Sequence, residues 1–279
     1  MSDRTGALLP AQTSWGPVPE MTGSVGQVEI PDARLAVWDT GGDGAPVVFL
    51  HPHTGHGGVW GYQQAAFAEA GHRVLTYSRR GYHGSEAGPE DRPGTVVGDL
   101  VALLDELGVG QFHLVGLAAG GFAVFDAALA VPDRLLSCTV GSTLAGIREP
   151  AWVQATKEII PAGFMDLPHA FQELGPSYRG AKPEPLAQWI EHAELPKPSR
   201  LQPAQHELLW PAIESIAPPV LLLTGDADLY LPPSRLREIA GHLPAAEVAV
   251  FAEAGHCPHW ESYIAFNDTV LSFVQKHGR

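Results

Sequence analysis

The sequence predicts an α/β fold in which a mostly parallel central sheet carries helices on both faces and one helical insertion. Short runs too apolar to have a solvent-facing side alternate with segments of helical periodicity, as in strands buried between two layers of helices. Loops rich in glycine and polar residues separate the two kinds of segment. The alternation stops once, between residues 147 and 211, where apolar residues lie on short helical pieces interrupted by proline.

The elements can be assigned in chain order. Residues 1–25 contain three prolines and no strand or helix periodicity, which predicts a surface arm. Two strand-like runs, 28–30 and 35–38, flank a short turn and predict a hairpin at a sheet edge. Residues 111–123 predict a buried strand, a tight turn and the start of a helix. The other strands are predicted at 47–50, 72–77, 135–140, 219–224 and 247–251, and the other helices at 60–71, 95–107, 233–242 and 260–276.

This pattern divides the chain into three parts. We expect an N-terminal arm at 1–25, an α/β core formed by 26–146 and 212–279, and a helical cap at 147–211. Helices that cover the mouth of a parallel sheet form the walls of a ligand pocket in many such proteins. The cap aromatics Trp152, Phe164, Trp189 and Trp210 are therefore the candidate substrate-binding residues.

Composition restricts the class of partner. The chain has 17 Lys and Arg against 31 Asp and Glu, a formal charge of −14, and such a surface repels nucleic acid and anionic lipid. No apolar run approaches the roughly 20 residues that a bilayer span needs, and the polar start lacks a signal-peptide pattern. We expect a cytoplasmic protein with a small-molecule substrate, either monomer or homodimer. Its two cysteines, Cys138 and Cys257, are expected to be reduced.

The turn at residues 116–120 matches a catalytic motif at all but one position. Gly116-Leu117-Ala118-Ala119-Gly120 fits the nucleophile-elbow pattern G-x-S-x-G except that alanine replaces the serine. The flanking glycines let the helix pack close to the strand while residue 118 is held at a strained, positive φ. A tight strand-to-helix turn without a catalytic role can have the same local sequence. The choice between this turn and a nucleophile elbow therefore depends on the residues in the other loops.

Two of those loops carry an acid and a histidine. Gly225-Asp226-Ala227-Asp228 follows one predicted strand, and Gly255-His256 follows the next. Open parallel sheets bind their ligands at the carboxyl ends of the strands, where these loops lie. Asp226 and Asp228 are also good turn formers, and His259 is better explained as a residue at a helix start than as a base.

Together these motifs resemble the α/β-hydrolase superfamily over residues 26–276. Asp228 and His256 occupy the places of the family's acid and histidine, Leu50-His51 opens the oxyanion loop, and residues 80–85 form a stretched R-G-x-G-x-S-type loop. The resemblance implies the α/β-hydrolase fold, with features closest to enol-lactonases, meta-cleavage C–C hydrolases and esterases. We therefore expect an enzyme for a small to medium, partly apolar ester, lactone or diketone-like substrate.

The chemistry of acyl transfer assigns a role to each position. A hydroxyl at residue 118 needs a neutral imidazole, His256, to take its proton, and that ring needs a buried carboxylate, Asp228, to orient it. Backbone N–H groups of His53 and Ala119 are the candidate oxyanion-hole donors. No glycine-rich nucleotide motif is present, so no organic cofactor is expected. The arginines that could hold a substrate carboxylate are Arg79, Arg80, Arg148 and Arg179.

A metal site is the competing interpretation of one loop. His51, His53 and His56 are spaced like part of the H-x-H-x-D-H zinc signature of metallo-β-lactamase-like hydrolases. Gly55 stands where that signature has its acid, and the downstream loops follow α/β-hydrolase order. We expect no metal, with His53 and His56 as polar groups of a pocket and His51 as a structural residue.

Ala118 leaves three hypotheses open, because a methyl group cannot attack a carbonyl. The chain can be a Ser-to-Ala variant of a hydrolase, which the intact Asp228 and His256 favour. It can instead be a lyase, cyclase or isomerase that uses His256 as a general base without a covalent step. The third hypothesis is a small-molecule-binding protein on a hydrolase framework.

Overall fold

The structure, a computed structural model, describes residues 6–198 and 201–278, which form one nine-stranded sheet covered by helices. The strands are β1 (Ala7–Leu9), β2 (Ser24–Ile30), β3 (Ala33–Asp39), β4 (Pro46–Leu50), β5 (Arg73–Tyr77), β6 (Phe112–Leu117), β7 (Leu135–Gly141), β8 (Val220–Gly225) and β9 (Glu247–Phe251). The helices are α1 (Gly61–Glu69), α2 (Val96–Glu106), α3 (Ala119–Ala130), α4 (Pro150–Ile159), α5 (His169–Glu173), α6 (Pro176–Ala181), α7 (Pro185–Glu194), α8 (Trp210–Glu214), α9 (Pro233–His242), α10 (Pro258–Glu261) and α11 (Tyr263–His277).

The strands lie in the order β1-β9-β8-β7-β6-β4-β5-β3-β2. Strand β2 pairs antiparallel with β3, and β3 pairs antiparallel with β5, while the remaining pairs are parallel. The predicted edge hairpin and the predicted parallel sheet are therefore confirmed. Because β4, β6, β8 and β9 run in the same direction, the loops that follow them start from one edge of the sheet.

Alternate residues of each central strand supply two separate cores. In β4, Val48 and Leu50 face the cluster under α2, α3 and α9, whereas Val47 and Phe49 face the cluster under α1 and α11. Successive side chains of a strand point to opposite faces, so a strand buried on both faces must be apolar throughout. This requirement explains the apolar runs that predicted the sheet.

The arm contains a strand that the sequence did not predict. Ala7–Leu9 pairs in parallel with β9, with Ala7 opposite Ala249 and Leu9 opposite Phe251, and β2 begins already at Ser24. A three-residue edge strand is too short to show periodicity, and its partner lies about 240 residues away, so no local pattern could reveal it.

Helices α4 to α8 fill the connection between β7 and β8, where the cap is predicted. Helix α8, Trp210–Glu214, crosses the predicted boundary at residue 211, so the helical insertion continues to Glu214. Among the described residues, no helix combines the length and the apolarity that a bilayer crossing requires.

Candidate active site

Ala118 adopts the strained backbone that the elbow motif predicts. It lies between β6 and α3 with φ 49° and ψ −117°, a conformation that costs a non-glycine residue about 1–3 kcal/mol. Three hydrogen bonds hold it: its N–H donates to the Gly141 carbonyl at 3.0 Å, and its carbonyl accepts from Thr143 Oγ1 at 2.6 Å and from the Gly121 N–H at 3.0 Å. The side chain at 118 is thereby fixed at the tip of the turn.

The first turn of α3 packs against the backbone at the end of β4. A Cβ atom built on Gly120 would lie 2.2 Å from the Leu50 carbonyl oxygen and 2.9 Å from that of His51. Only glycine permits this approach, which brings the helix start next to the loop that carries His53. Ala119 is the first residue of α3, so its N–H has no intrahelical acceptor.

Asp228 and His256 form a buried hydrogen-bonded pair. Nδ1 of His256 lies 2.8 Å from Asp228 Oδ2, and the two residues are 8% and 1% exposed. Asp228 also accepts a hydrogen bond from the Thr224 hydroxyl and from the N–H groups of Tyr230 and Leu231, so both its oxygens are engaged. Nε2 of His256 forms no hydrogen bond with any described residue, which leaves that nitrogen available for chemistry.

The surroundings of Asp228 and His256 shift the pKa values of the two side chains in opposite directions. Burial acts to lower the pKa of His256, but the charge and hydrogen bond of Asp228, aided by Glu173 and Glu261, outweigh it and raise that pKa. Burial acts to raise the pKa of Asp228, but His256 and the two backbone N–H donors outweigh it and lower that pKa. The arrangement keeps Asp228 ionised and makes His256 a better base than a free imidazole.

Asp226 and His259, the neighbouring candidates, have other roles. Asp226 Oδ1 accepts the Glu253 N–H at 2.8 Å and so closes the turn between the two loops. His259 packs on Trp60 with ring centroids 4.9 Å apart, and burial lowers its pKa to about 3.

The three histidines of the 51–56 loop point to three different partners. His51 Nε2 accepts from the backbone N–H of Arg79, His53 Nδ1 lies 2.7 Å from Tyr82 Oη, and His56 Nε2 lies 2.9 Å from His192 Nδ1. Among the described residues, no group of three or more His, Cys, Asp or Glu side chains is arranged to hold a metal ion. The loop therefore does not provide the ligand set of the zinc signature that its spacing resembles.

His53 is half-buried and follows His51, whose carbonyl oxygen lies against Gly120 of α3, by two residues. Burial and the nearby charge of Arg79 lower its pKa to about 4, so the ring is neutral at pH 7. Its backbone N–H forms no hydrogen bond with the described residues. The oxyanion role of His53 and Ala119 stays a prediction, and this geometry is compatible with it.

The four cap aromatics fall into two groups. Phe164 packs on Tyr230, whose ring lies 4.6 Å from that of His256, and Trp189 lies beside Cys257. Trp152 and Trp210 instead pack on helix α9. The Trp152 ring lies 3.7 Å from the Arg235 guanidinium carbon, and the Trp210 ring stacks on His242 at 3.8 Å. Phe164 and Trp189 thus lie near the His256 loop, whereas Trp152 and Trp210 join the cap to the core. The substrate-binding role of all four stays a prediction.

A cavity of about 340 Å³ adjoins the elbow, and no residue of the His256 loop lines it. It is lined by Ala119 and Phe122 of α3, by Arg79 and Arg148, and by cap residues that include Leu201 and Leu208, but by none of the four cap aromatics. Arg79 is 5% exposed and has no carboxylate within 4 Å among the described residues.

Arg80 and Arg179 have structural partners. Arg80 forms a bidentate buried ion pair with Asp99, and Arg179 donates to the Leu174 carbonyl. Of the four arginines considered from the sequence, Arg79 and Arg148 therefore line the cavity without a carboxylate partner.

Sequence reasoning missed Glu173, the last residue of α5. It is 7% exposed and its Oε2 accepts a hydrogen bond from Thr54 Oγ1 at 2.6 Å, while its carbonyl accepts the His256 N–H. The only sequence signal is an acidic residue on an apolar cap helix, which is weak by itself because acidic residues are common on exposed helix faces.

Comparison with known proteins agrees with this architecture. The model of the alpha/beta hydrolase family matches residues 47–269. A provisionally named non-heme bromoperoxidase of Mycobacterium tuberculosis is 27% identical over 252 residues, covering 85% of this chain and 96% of the relative. The 2-hydroxy-6-oxononadienedioate/2-hydroxy-6-oxononatrienedioate hydrolase of Burkholderia vietnamiensis is 26% identical. The match covers 88% of this chain and 92% of that relative.

Among solved structures, the enol-lactonase from Burkholderia xenovorans superposes with a TM-score of 0.72 at 25% identity, covering 89% of this chain and 99% of that one. The parallel sheet, the strained elbow and the family match over residues 47–269 lead to one conclusion: the chain belongs to the alpha/beta hydrolase family.

Proposed function

We propose that this site is built to hydrolyse a small to medium, partly apolar ester, lactone or diketone-like compound, with residue 118 at the nucleophile position. The hydrogen bond between His256 and Asp228, which leaves His256 Nε2 free, is the observation that carries the proposal. Two of the similar proteins reported above are named a hydrolase and an enol-lactonase, and these names support the reaction class.

The residues suit the steps of acyl transfer. A hydroxyl at 118 would transfer its proton to His256 Nε2 as its oxygen attacks the carbonyl carbon, and Asp228 would stabilise the imidazolium that forms. The N–H groups of Ala119 and His53 would stabilise the oxyanion. The imidazolium then protonates the leaving group, and water releases the acyl group by the same steps. With Ala118 the covalent step has no nucleophile, so we expect this chain to bind substrate without forming an acyl-enzyme.

Restoring the hydroxyl tests the proposal. Ala118→Ser should produce hydrolysis of 4-nitrophenyl esters or simple lactones with a kcat several orders of magnitude above that of Ala118, as removing a catalytic nucleophile typically costs. Adding His256→Ala to that variant is the control and should abolish the gain. A folded Ala118→Ser protein without turnover of any such substrate would contradict the proposal.

A second candidate is proton-transfer chemistry without a covalent step, such as a lyase, cyclase or isomerase reaction. It is favoured by the same free nitrogen, because His256 can act as a general base while Ala118 is present. This candidate requires turnover by the chain as it stands, lost on His256→Ala and unimproved by Ala118→Ser. Ligand binding that is insensitive to His256→Ala, with no turnover, would instead indicate a binding protein.

A further inference from the structure

Glu173 joins the cap to the three loops of the candidate site. Its Oε2 accepts from Thr54 in the loop after β4 and from Cys257 Sγ, at 3.6 Å, in the loop after β9. The preceding residue is Gln172, and its Oε1 accepts a hydrogen bond from the Tyr230 hydroxyl at 2.6 Å. Tyr230 lies in the loop after β8. The carboxyl group of Glu173 therefore lies among the loops that carry His53, Asp228 and His256.

One oxygen of Glu173 has no partner. Oε1 forms no hydrogen bond with the described residues, and no Lys, Arg or His nitrogen of the described chain lies within 4 Å of the carboxylate. Glu173 is 7% exposed, so its carboxylate is nearly but not completely enclosed. A nearly buried carboxylate oxygen without a hydrogen bond is costly unless a ligand or water supplies one.

The other buried carboxylates beside His256 are hydrogen-bonded at both oxygens. Asp228 accepts four hydrogen bonds, as described above. Glu261 Oε1 accepts hydrogen bonds from the N–H groups of Gly255 and Cys257, and its Oε2 accepts one from that of Gly175. Glu173 is thus the one of these three acids with an oxygen that accepts no hydrogen bond from the described residues.

Glu173 and His256 offer different groups to a ligand. The hydroxyl of Thr54 and the thiol of Cys257 both donate to Oε2 of Glu173, so that oxygen is already occupied. His256, hydrogen-bonded to Asp228 through Nδ1, carries the free nitrogen that suits a general base. What Glu173 offers is negative charge and a free acceptor, and both favour a ligand group that carries positive charge and N–H donors.

We propose that Glu173 Oε1 is the binding point for a cationic amine on the substrate and so sets the specificity of this site. The proposal deepens the proposed hydrolytic function and rests on it for the reaction, but the binding of the amine can be measured without turnover. The expected substrate class is an amine-bearing ester, lactone or ketone whose ammonium group lies beside Glu173 when its carbonyl group lies at the elbow.

The test uses the chain with Ala118 and two probes of similar length, hexylammonium chloride and 1-hexanol, with affinities from calorimetry. We expect the ammonium probe to bind roughly tenfold or more tightly than the alcohol, and this ratio to fall to about one in Glu173→Gln. Glu194→Gln, which removes the same charge from an exposed position of the cap, is the matched control and should keep the ratio. A ratio near one in the unsubstituted chain, or a ratio retained in Glu173→Gln, would overturn the proposal.

A second measurement serves if Glu173→Gln does not fold. Hexylammonium should shift the amide NMR signals of Thr54 and Cys257 in the unsubstituted chain, because these residues share the Glu173 carboxylate. Shifts confined to the cavity beside Phe122 would overturn the proposal.

Hydrolysis provides the link to function. In the Ala118→Ser variant, kcat/KM for 4-nitrophenyl 6-aminohexanoate should exceed that for the heptanoate roughly tenfold, and Glu173→Gln should remove the difference through KM. Absence of all hydrolysis would count against the proposed function alone, since the binding arm needs none. Hydrolysis with no preference for the amino ester would count against Glu173 alone.

Discussion

Replacing Gly120 by alanine tests whether the close contact between the elbow helix and the oxyanion loop is required. The added Cβ would lie 2.2 Å from the oxygen and 2.7 Å from the carbon of the Leu50 carbonyl, and 2.9 Å from the oxygen of His51. All three atoms are backbone atoms at the end of a central strand. No flexible side chain can move aside, so α3 must move off the sheet by about 1 Å to restore ordinary contact distances.

The expected cost follows from this geometry. Overpacking a well-packed interior typically costs about 1–3 kcal/mol, and a clash with immobile backbone lies at the upper end of that range. Alanine has a better helix propensity than glycine, which offsets up to about 1 kcal/mol of this destabilisation. We therefore expect a loss of about 2–3 kcal/mol in the free energy of unfolding, which for a protein of this size lowers Tm by about 5–10 °C.

Denaturant and thermal unfolding of Gly120→Ala measure this loss. The matched control is Gly241→Ala in the last turn of α9, where an added Cβ would meet nothing within 4 Å. That variant should be unchanged or more stable by about 0.5–1 kcal/mol, because alanine is the better helix former. If Gly120→Ala is as stable as the unsubstituted chain, then the elbow does not hold α3 against β4 as described.

Three further outcomes are expected. In the Ala118→Ser background, Asp228→Asn should lower kcat by about 10³–10⁴-fold, because the His256 imidazole loses the carboxylate that orients and stabilises it. Steady-state kinetics on an activated ester measure this loss. A loss of less than tenfold would contradict the role of Asp228 as the acid. Asp99→Ala should destabilise the fold by about 3–5 kcal/mol in urea unfolding because it leaves the buried Arg80 charge without its carboxylate, and a loss under 1 kcal/mol would contradict that account. Burial lowers the pKa of His113 from its ordinary 6.5 to about 4, so the unfolded chain binds the proton first and stability falls as pH falls from about 6.5 to 4. His113→Gln should reduce that acid-induced loss by roughly 3 kcal/mol, measured as unfolding free energy at pH 7 and pH 4, and an unchanged pH dependence would refute the assignment.

Much of the site could be predicted because its requirements are local. The turn at Gly116 and Gly120 needs small residues for steric reasons, and that need is visible in five consecutive letters. The order of the elbow, the Asp228 loop and the His256 loop follows from strands that run parallel and end at one edge of the sheet. Each of these inferences uses only contacts within a segment or the direction of a strand.

The parts that escaped prediction depend on contacts between distant segments. Glu173 joins the site because α5 folds back onto loops near residues 54 and 257, and no spacing in the chain encodes that approach. The contacts of Trp152 with Arg235 and of Trp210 with His242 likewise join the cap to α9, which lies far away in the chain. The edge strand of the arm is a third case, because its hydrogen-bonding partner is β9.

From sequence alone, the fold class, the strained turn at Ala118 and the pairing of Asp228 with His256 could be inferred, because buried strands must be apolar on both sides and tight turns admit few residue types. Only the tertiary structure decided which cap side chains approach His256, where the arm attaches, and that Glu173 keeps a free oxygen among the three loops. The physical reason is that backbone sterics and periodicity act over a few residues. The direction in which a cap side chain points depends instead on the packing of segments that lie far apart in the chain.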